Sequence, residues 1–422
     1  MRWLAGALAV LVLAVLSGCG QGDRSGPQKL NLQITNLLPM TGSLDQFGKP
    51  GRRATDVAEQ EIRKAIAEAG AQHRLAIKNI DYKSDPNIGV TLATKAAEKG
   101  TDCIVGPWGS GHAARVGAQV SRPKKVLQIS PSASADQLSD VRDLGYMNRL
   151  VPRDDLQVSA LVELMSRSLG GARGKKVNIG ALKSVYGKDL TKRFVDSWRH
   201  AGGKVGNAVT YGITETSVRT QAKRLNAGKP DAWVFFDVPE TYPRVTSEML
   251  KDKKSRWSPR KTFAGDALAF PRLPLSGPAV TEGLRGVAIS APEKGKAVEA
   301  FDKLIRKQPG AKRQTFDAQQ FDAIVLCYLS AVAAGSTSAE HMKDELPAIT
   351  SAPGRKYTWL ELDKAITALE AGKDIDYEGV SGPIELNRRG DATAAVYDIY
   401  QINKARLKLD GQIAVPRGSG GI

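Results

Sequence analysis

At 422 residues the chain is long enough for two or three domains with sizeable cores. Its 61 Lys and Arg against 44 Asp and Glu give a formal charge of +17. The cations are spread along many helical stretches, and the densest run, Lys251-Asp252-Lys253-Lys254-Ser255-Arg256, has no aromatic stacking platform within it, which argues against nucleic acid as a partner. His73, His112, His200 and His341 show no metal-ligand spacing, so no metal is expected.

At the N-terminus, Met1-Arg2 precedes an apolar run from Trp3 to Leu16, too short to span a bilayer but suited to a secretory signal. Leu16-Ser17-Gly18-Cys19 resembles a bacterial lipobox, in which small residues suit the peptidase and the cysteine thiolate is acylated. The expectation is a signal segment over 1–18, lipid on Cys19 and a polar tether over 19–29. Such a chain is held at a membrane rather than spanning it, in the bacterial envelope.

Strands and helices then alternate in the manner of a doubly wound α/β protein. The first set reads as strand 30–35, helix 50–69, strand 75–81, helix 86–99 and strand 103–105. Gly106-Pro107-Trp108-Gly109-Ser110-Gly111 turns into a helix from His112 to Val120, stopped by Pro123, and strand 126–129 ends in Ser130-Pro131-Ser132-Ala133-Ser134. Two neighbouring strand ends thus present hydroxyls and backbone N–H groups at the sheet edge where ligands bind in open α/β folds. Gly109-Ser110-Gly111-His112-Ala113-Ala114 also fits a dinucleotide turn, but the next strand ends without the acidic residue that would hold a ribose, so no cofactor is expected.

A second set follows the extended segment Tyr146–Pro152: helix 154–169, strand 177–182, helix 187–200, strand 208–211, helix 217–226, strand 232–237, helix 240–251, strand 262–265 and a short extended piece at 286–290. Helices at 297–307, 317–334, 339–346 and 359–371 come next. A hairpin of 383–386 with 396–402, turned by Asn387-Arg388-Arg389-Gly390-Asp391, closes the chain. Cys103 and Cys327 lie in apolar segments and are expected as buried thiols rather than as a disulfide. There is no nucleophile elbow, and Ser121-Arg122-Pro123-Lys124 matches S-x-x-K only across a proline, so no catalysis is expected.

Leu37-Leu38-Pro39-Met40-Thr41-Gly42 with Phe47-Gly48, Asp81 with Ser84-Asp85-Pro86, Val105-Gly106-Pro107, the Ser130–Ser134 turn, Tyr186-Gly187, Phe321-Asp322-Ala323 and Gly382-Pro383-Ile384-Glu385-Leu386 occur in that order. Together they resemble the substrate-binding lipoproteins of branched-chain amino-acid ABC importers, over almost all of residues 30–402. The resemblance implies a clamshell of two parallel-sheet lobes with three crossings, near 150, 291 and 379. Lobe I is then 30–150 plus 292–378, and lobe II 151–291 plus 379–415, with a tail at 416–422. It also implies a small polar ligand, such as a branched-chain amino acid or a related amide, and ABC permease subunits as partners. A ligand-sensing envelope lipoprotein without a transport role is the alternative, since one fold hosts several functions. The excess positive charge would also suit an acidic ligand.

For an α-amino acid the carboxylate needs hydroxyl and N–H donors. Position and resemblance together offer Ser110, Ser132 and Ser134 from the first lobe. The ammonium needs a carboxylate, for which Asp266 at the end of Phe263-Ala264-Gly265 is the candidate. Phe47, Trp108 and Tyr186 are candidate apolar walls. Asp322, inside a helix, is expected to make a structural bond.

Overall fold

β1 (Lys29–Leu38) alternates exposed and buried residues up to Gln33 and is wholly buried from Ile34 onward, as in a strand that runs from a solvated edge to a place covered on both faces. The structure, a computed structural model, describes residues 29–139, 144–290, 292, 294–307, 311–393 and 395–415. The signal segment, Cys19, nearly all of the tether and the tail 416–422 lie outside these residues.

α1 (Gly48–Ala69) buries Ala54, Ala58, Ile62, Ala65 and Ile66, one stripe at helical spacing, and stops at Gly70 with φ +67°. β2 (Gln72–Asp81) follows, then α2 (Pro86–Glu98), whose Asp85 cap accepts from the N–H groups of Asn87 and Ile88. β3 (Cys103–Val105), α3 (Ser110–Val116), α4 (Arg122–Lys124), β4 (Leu127–Ser130) and β5 (Met147–Arg149) complete a parallel sheet ordered β2-β1-β3-β4-β5. The stop expected at Pro123 is displaced. A π-turn over Gly117–Ser121 resets the ladder, Pro123 falls in the first turn of α4 where its missing N–H costs nothing, and Lys125 at φ +52° ends the run.

The second sheet is built from α5 (Asp154–Leu169), β6 (Lys176–Leu182), α6 (Val185–His200), β7 (Lys204–Tyr211), α7 (Arg219–Asn226), β8 (Ala232–Phe236), α8 (Tyr242–Leu250), β9 (Thr262–Ala264), α9 (Pro278–Thr281) and β10 (Arg285–Ile289). The chain then returns to the first lobe with α10 (Lys296–Ile305), α11 (Asp317–Ala334), α12 (Ala339–Ile349), β11 (Arg355–Thr358), α13 (Leu362–Glu370), β12 (Ile375–Gly379) and β13 (Gly382–Pro383). All eighteen residues of α11 are buried, so this helix is the centre of the first core rather than a surface helix. β14 (Ala395–Asn403) and β15 (Arg406–Val415) finish the second sheet, ordered β15-β14-β10-β9-β8-β6-β7, with β14 and β15 antiparallel.

Three expectations are corrected here. The closing hairpin is β14 with β15, turned at Lys404-Ala405, and not 383–386 with 396–402. The Asn387–Asp391 turn does form, closed by Asn387 N–H donating to Asp391 O at 3.0 Å, but it carries a single bridge, Leu386 to Ala392. Ile384, Leu386 and Ala392 still pack in the first core while Ala395 and Tyr397 pack in the second, so the third passage comes later than position 379. β11, β12 and β13, a small sheet absent from the sequence reading, keep that segment with the first lobe. Asp322 has the structural bond expected of it: its carboxylate accepts from Tyr377 Oη at 2.9 Å, Val380 N–H at 3.0 Å and Ser381 N–H and Oγ at 2.8 and 2.6 Å.

The third correction is the disulfide. Cys103 on β3 and Cys327 on α11, 224 residues apart, are bonded with their Cα atoms 6.2 Å apart. Only the packing of α11 against the sheet brings them together, which their spacing could not reveal. Opening so long a loop is expected to cost about 2–5 kcal/mol. Denaturant unfolding of Cys103→Ala/Cys327→Ala against the parent measures it, and a loss under 1 kcal/mol would count against a stabilising role.

Burial also sets a pH dependence. Asp317, fully buried at the start of α11, accepts Gln314 N–H at 2.8 Å, and burial pushes its carboxyl up to about 7. Asp237, also buried, is raised by burial to about 6 against the hydrogen bonds from Thr241, Tyr211 and Val238. A carboxyl whose pKa is raised on folding keeps its proton in the native state while the unfolded chain loses it, so stability falls as pH rises from about 4 to about 7 and levels off above. Asp317→Asn is expected to flatten that slope in melting temperature against pH; an unchanged slope would contradict it.

Candidate ligand-binding cleft

The cleft lies at the carboxyl ends of both sheets. Leaving β3, the chain turns at Gly106 (φ +91°), where a Cβ would stand 2.6 Å from the carbonyl oxygen of Leu37. That turn delivers Trp108, which is 1 % exposed and clamped on three sides. Its Nε1 donates to Gln320 Oε1 at 3.1 Å, its carbonyl accepts from Tyr82 Oη at 2.7 Å, and a Cβ at Gly51 would come within 2.7 Å of its ring. Gln320 in turn donates to Asn36 and Thr55, each at 3.1 Å. The Trp108 ring is therefore a fixed wall.

Phe47 and Phe316 stand against Trp108 at ring-centroid distances of 5.6 and 5.9 Å. Phe316 has φ +71°, a left-handed conformation that costs a non-glycine residue about 1–2 kcal/mol. It occupies that conformation immediately before α11, at the cleft. No sequence signal marked it.

Ser110 opens α3, and its Oγ accepts from the N–H groups of Ser134 and Ala135 at 3.2 and 3.1 Å, tying the two strand-end turns together. Ser132 Oγ accepts from Gly109 N–H at 3.3 Å. Both hydroxyl protons remain to be donated. Beneath the Ser134 turn, the buried Arg149 donates to the carbonyls of Ser134 and Ala135, both at 2.7 Å, and to Asp391 Oδ1 from Nε at 2.9 Å and Nη2 at 2.7 Å.

The second lobe supplies the acids. Asp266, 2 % exposed, follows β9 and accepts from Tyr186 Oη at 2.8 Å, while its own N–H donates to Gln157 Oε1 at 3.4 Å. Gly265 permits this closeness: a Cβ there would stand 2.7 Å from Gln157 Oε1 and 2.8 Å from Tyr186 Oη. Burial raises the Asp266 carboxyl, with the bonds from Tyr186 and Gln157 opposing. Asp154, wholly buried at the start of α5, neighbours Asp266 and the Ser134 hydroxyl. Burial holds its carboxyl well above the usual range, Ser134 opposing and Asp266 adding to the rise.

Tyr397 Oη is buried without a protein hydrogen-bond partner, the buried Asp154 carboxylate has only the Ser134 hydroxyl facing it, and Gln157 Nε2 has only Asp266. Buried polar groups with unfilled hydrogen-bonding capacity are rare in folded interiors, and such a set beside a cleft suits a ligand with charged, hydrogen-bonding groups. Asp154, Gln157, Phe316 and Tyr397 were not singled out from sequence. Asp154 stands in the first turn of α5, where acidic residues are ordinary because they complement the helix dipole.

Of the seven residues expected, Phe47, Trp108, Ser110, Ser132, Tyr186 and Asp266 line one cavity of about 130 Å³. Ser134 does not line it, and sits instead beside Asp154. A larger crevice, about 300 Å³, opens where the passages between the lobes meet, walled by Leu150, Pro152, Ile289 and Pro383 among others. None of its described lining residues is charged, so a charged ligand has no counterpart there, and the smaller cavity is the better candidate.

Contacts from lobe to lobe hold the cleft shut. Arg193 Nε lies 2.6 Å from Asp136 Oδ2, Asp136 N–H donates to Asp189 at 2.6 Å, and Gln46 Nε2 donates to Glu240 at 3.3 Å. Thr315 Oγ1 donates to the Ala269 carbonyl at 2.8 Å, and the Phe270 ring meets Phe47 edge-on at 5.0 Å.

Two sheet lobes joined by three passages, with a cavity walled from both sides, define a type I periplasmic-binding clamshell. The chain belongs to the periplasmic binding protein family, whose model matches residues 31–406. Among relatives, it is 24% identical over 385 residues to the chemotactic signal transduction substrate-binding protein BasB of Halobacterium salinarum, covering 89% of this chain and 88% of BasB. It is 25% identical over 242 residues to an uncharacterised Methanocaldococcus jannaschii protein, covering 54% of this chain and only 57% of that protein. In fold it is similar to the leucine-binding protein LivK of Thermotoga maritima, with a TM-score of 0.73 and 18% identity over 90% of this chain and 98% of LivK. It is similarly close to a Rhodopseudomonas palustris solute-binding protein in complex with benzoate, at 0.72 and 18% over 92% and 98%. The family is one of periplasmic, and so extracytoplasmic, binding proteins.

Proposed function

We propose that this protein is the receptor of an ABC importer, exported, lipid-anchored at Cys19 and closing on a zwitterionic amino acid with a compact apolar side chain. One observation carries the reading: a buried carboxyl, hydroxyl donors and aromatic walls converge on one small cavity. The ligand's ammonium meets Asp266, with Asp154 next to it. Its carboxylate takes the hydroxyls of Ser110 and Ser132. Its side chain lies among Phe47, Trp108, Phe316 and Tyr186.

A cavity near 130 Å³ suits a branched four-carbon group or a single ring, since about 150 Å³ is enough for benzene. An ammonium beside Asp266 and Asp154 offsets the burial that raises both carboxyls, so the cation is favoured where a bare carboxylate is not. Ligand contacts on both lobes then favour the closed form.

A thermal-shift panel of amino acids, amides, benzoate and small organic acids tests the reading, because a ligand specific for the folded state raises the melting temperature. Apolar amino acids are expected to respond. A response to benzoate or to dicarboxylic acids alone would overturn the zwitterion reading. The likeness to BasB favours a second reading, in which the liganded protein signals rather than transports. Uptake of the labelled ligand in cells with and without the gene separates the two.

A further inference from the structure

The ligand reading makes no use of the positive charge. Residues 151–290 hold 24 Lys and Arg against 13 Asp and Glu, so one third of the sequence carries +11 of the chain's +17. Part of this charge stands at the cleft end, on Arg153, Lys183, Lys188, Arg193 and Arg244, and many of the remaining cations lie at the opposite pole. The cleft takes the carboxyl edge of the second sheet. The opposite edge is made of the starts of β6, β7, β9 and β10, the ends of α6, α7 and α8, and the β14–β15 turn.

Hydrogen bonds join these pieces into one surface. Lys204 N–H donates to Lys175 O at 2.8 Å and Asp231 N–H to Lys176 O at 2.7 Å. Asn226 donates to Met249 O at 2.9 Å and accepts from Ser255 Oγ at 2.8 Å. Gly283 N–H donates to Ile402 O at 2.8 Å. Arg173, Lys204, Arg224, Lys229, Arg260 and Lys261 are all exposed on it. The loop after α8 adds exposed Lys251, Lys253, Lys254 and Arg256 against one acid, Asp252. Helix dipoles account for Arg199, Lys223 and Arg224 in the last turns of α6 and α7. They do not account for Lys204, Lys229 or Lys254, which lie outside helices.

We propose that this pole docks on a membrane surface rich in anionic phospholipid. Its cations stand on loop tips and helix ends, and its tryptophans Trp198, Trp233 and Trp257 are buried, so they offer no stacking platform for bases. Leu250, 42 % exposed and next to Lys251, gives an apolar contact flanked by cations, the combination that seats proteins in a headgroup layer. β1 begins at Lys29, on the corresponding far edge of the first lobe. Resting on the proposed lipid at Cys19, the pairing is of one acyl chain with a basic patch, which anchors far better than either alone.

The test uses the chain from Lys29 onward, which retains every strand and helix described, co-sedimented with phosphatidylcholine vesicles with and without about one-third phosphatidylglycerol. Binding is expected only to the anionic vesicles and to weaken steeply with salt. Lys253→Glu/Lys254→Glu/Arg256→Glu is expected to weaken it about tenfold or more, leaving melting temperature and the amino-acid thermal shift unchanged. Equal binding to neutral vesicles, none to anionic vesicles at low salt, or an unaffected variant would overturn the proposal. So would binding to duplex DNA or heparin without binding to vesicles. The amino-acid thermal shift is read separately, so a failed ligand reading is not confused with a failed docking surface.

Discussion

Asp266→Asn lowers affinity for the amino-acid ligand by about a hundredfold or more, because removing one partner of a desolvated charge pair costs about 2–5 kcal/mol. The substitution is nearly isosteric, and the amide oxygen can still accept from Tyr186 Oη, so the local geometry survives. The unliganded protein is expected to melt no lower than the parent. Burial raises the pKa of this carboxyl, so removing the charge relieves the folded state. Calorimetric titration and a melting curve read the two effects independently. Affinity within threefold of the parent would place the ammonium elsewhere.

The largest expected loss of stability belongs to Arg149→Met. Arg149 is 1 % and Asp391 3 % exposed, and the guanidinium also serves the carbonyls of Ser134 and Ala135. Methionine fills much of the space but strands a buried carboxylate and two carbonyls. Breaking a buried pair by removing one member costs about 3–5 kcal/mol. The cleft should suffer as well, since Ser110 is bonded to the N–H groups of the turn that Arg149 supports. Urea unfolding should show the loss, and Arg149→Met/Asp391→Asn should recover part of it. A single-variant loss below 1 kcal/mol would mean that the pair is not a support.

Much of the alternation of strands and helices was readable because core demands are local. α5 and α11 begin and end where they were expected, at Asp154–Leu169 and Asp317–Ala334. Six of the seven expected cleft residues meet at one cavity because strand-end turns lie at a sheet edge whatever the details of packing. What escaped depends on distant parts of the chain. The Cys103–Cys327 bond and the Arg149–Asp391 pair join positions more than 200 residues apart, and only tertiary packing brings them together. The β14–β15 hairpin turns on Lys404-Ala405, which lacks the Gly, Asn or Asp that marks such turns, whereas Asn387–Asp391 has that chemistry and serves a smaller loop. In sequence Asp154 is simply an acidic residue in the first turn of a helix. Its meaning comes from burial beside Asp266.

The central claim is that the cleft reads both charges of a zwitterion. The most direct test is a calorimetric titration of the best amino acid from the thermal-shift panel against its two truncated analogues, the amine lacking the carboxylate and the acid lacking the ammonium. The account predicts saturable binding of the amino acid and affinity about a hundredfold weaker or worse for each analogue. Comparable binding of the acid lacking its ammonium would contradict the roles given to Asp266 and Asp154, and would place this protein among receptors for simple organic acids.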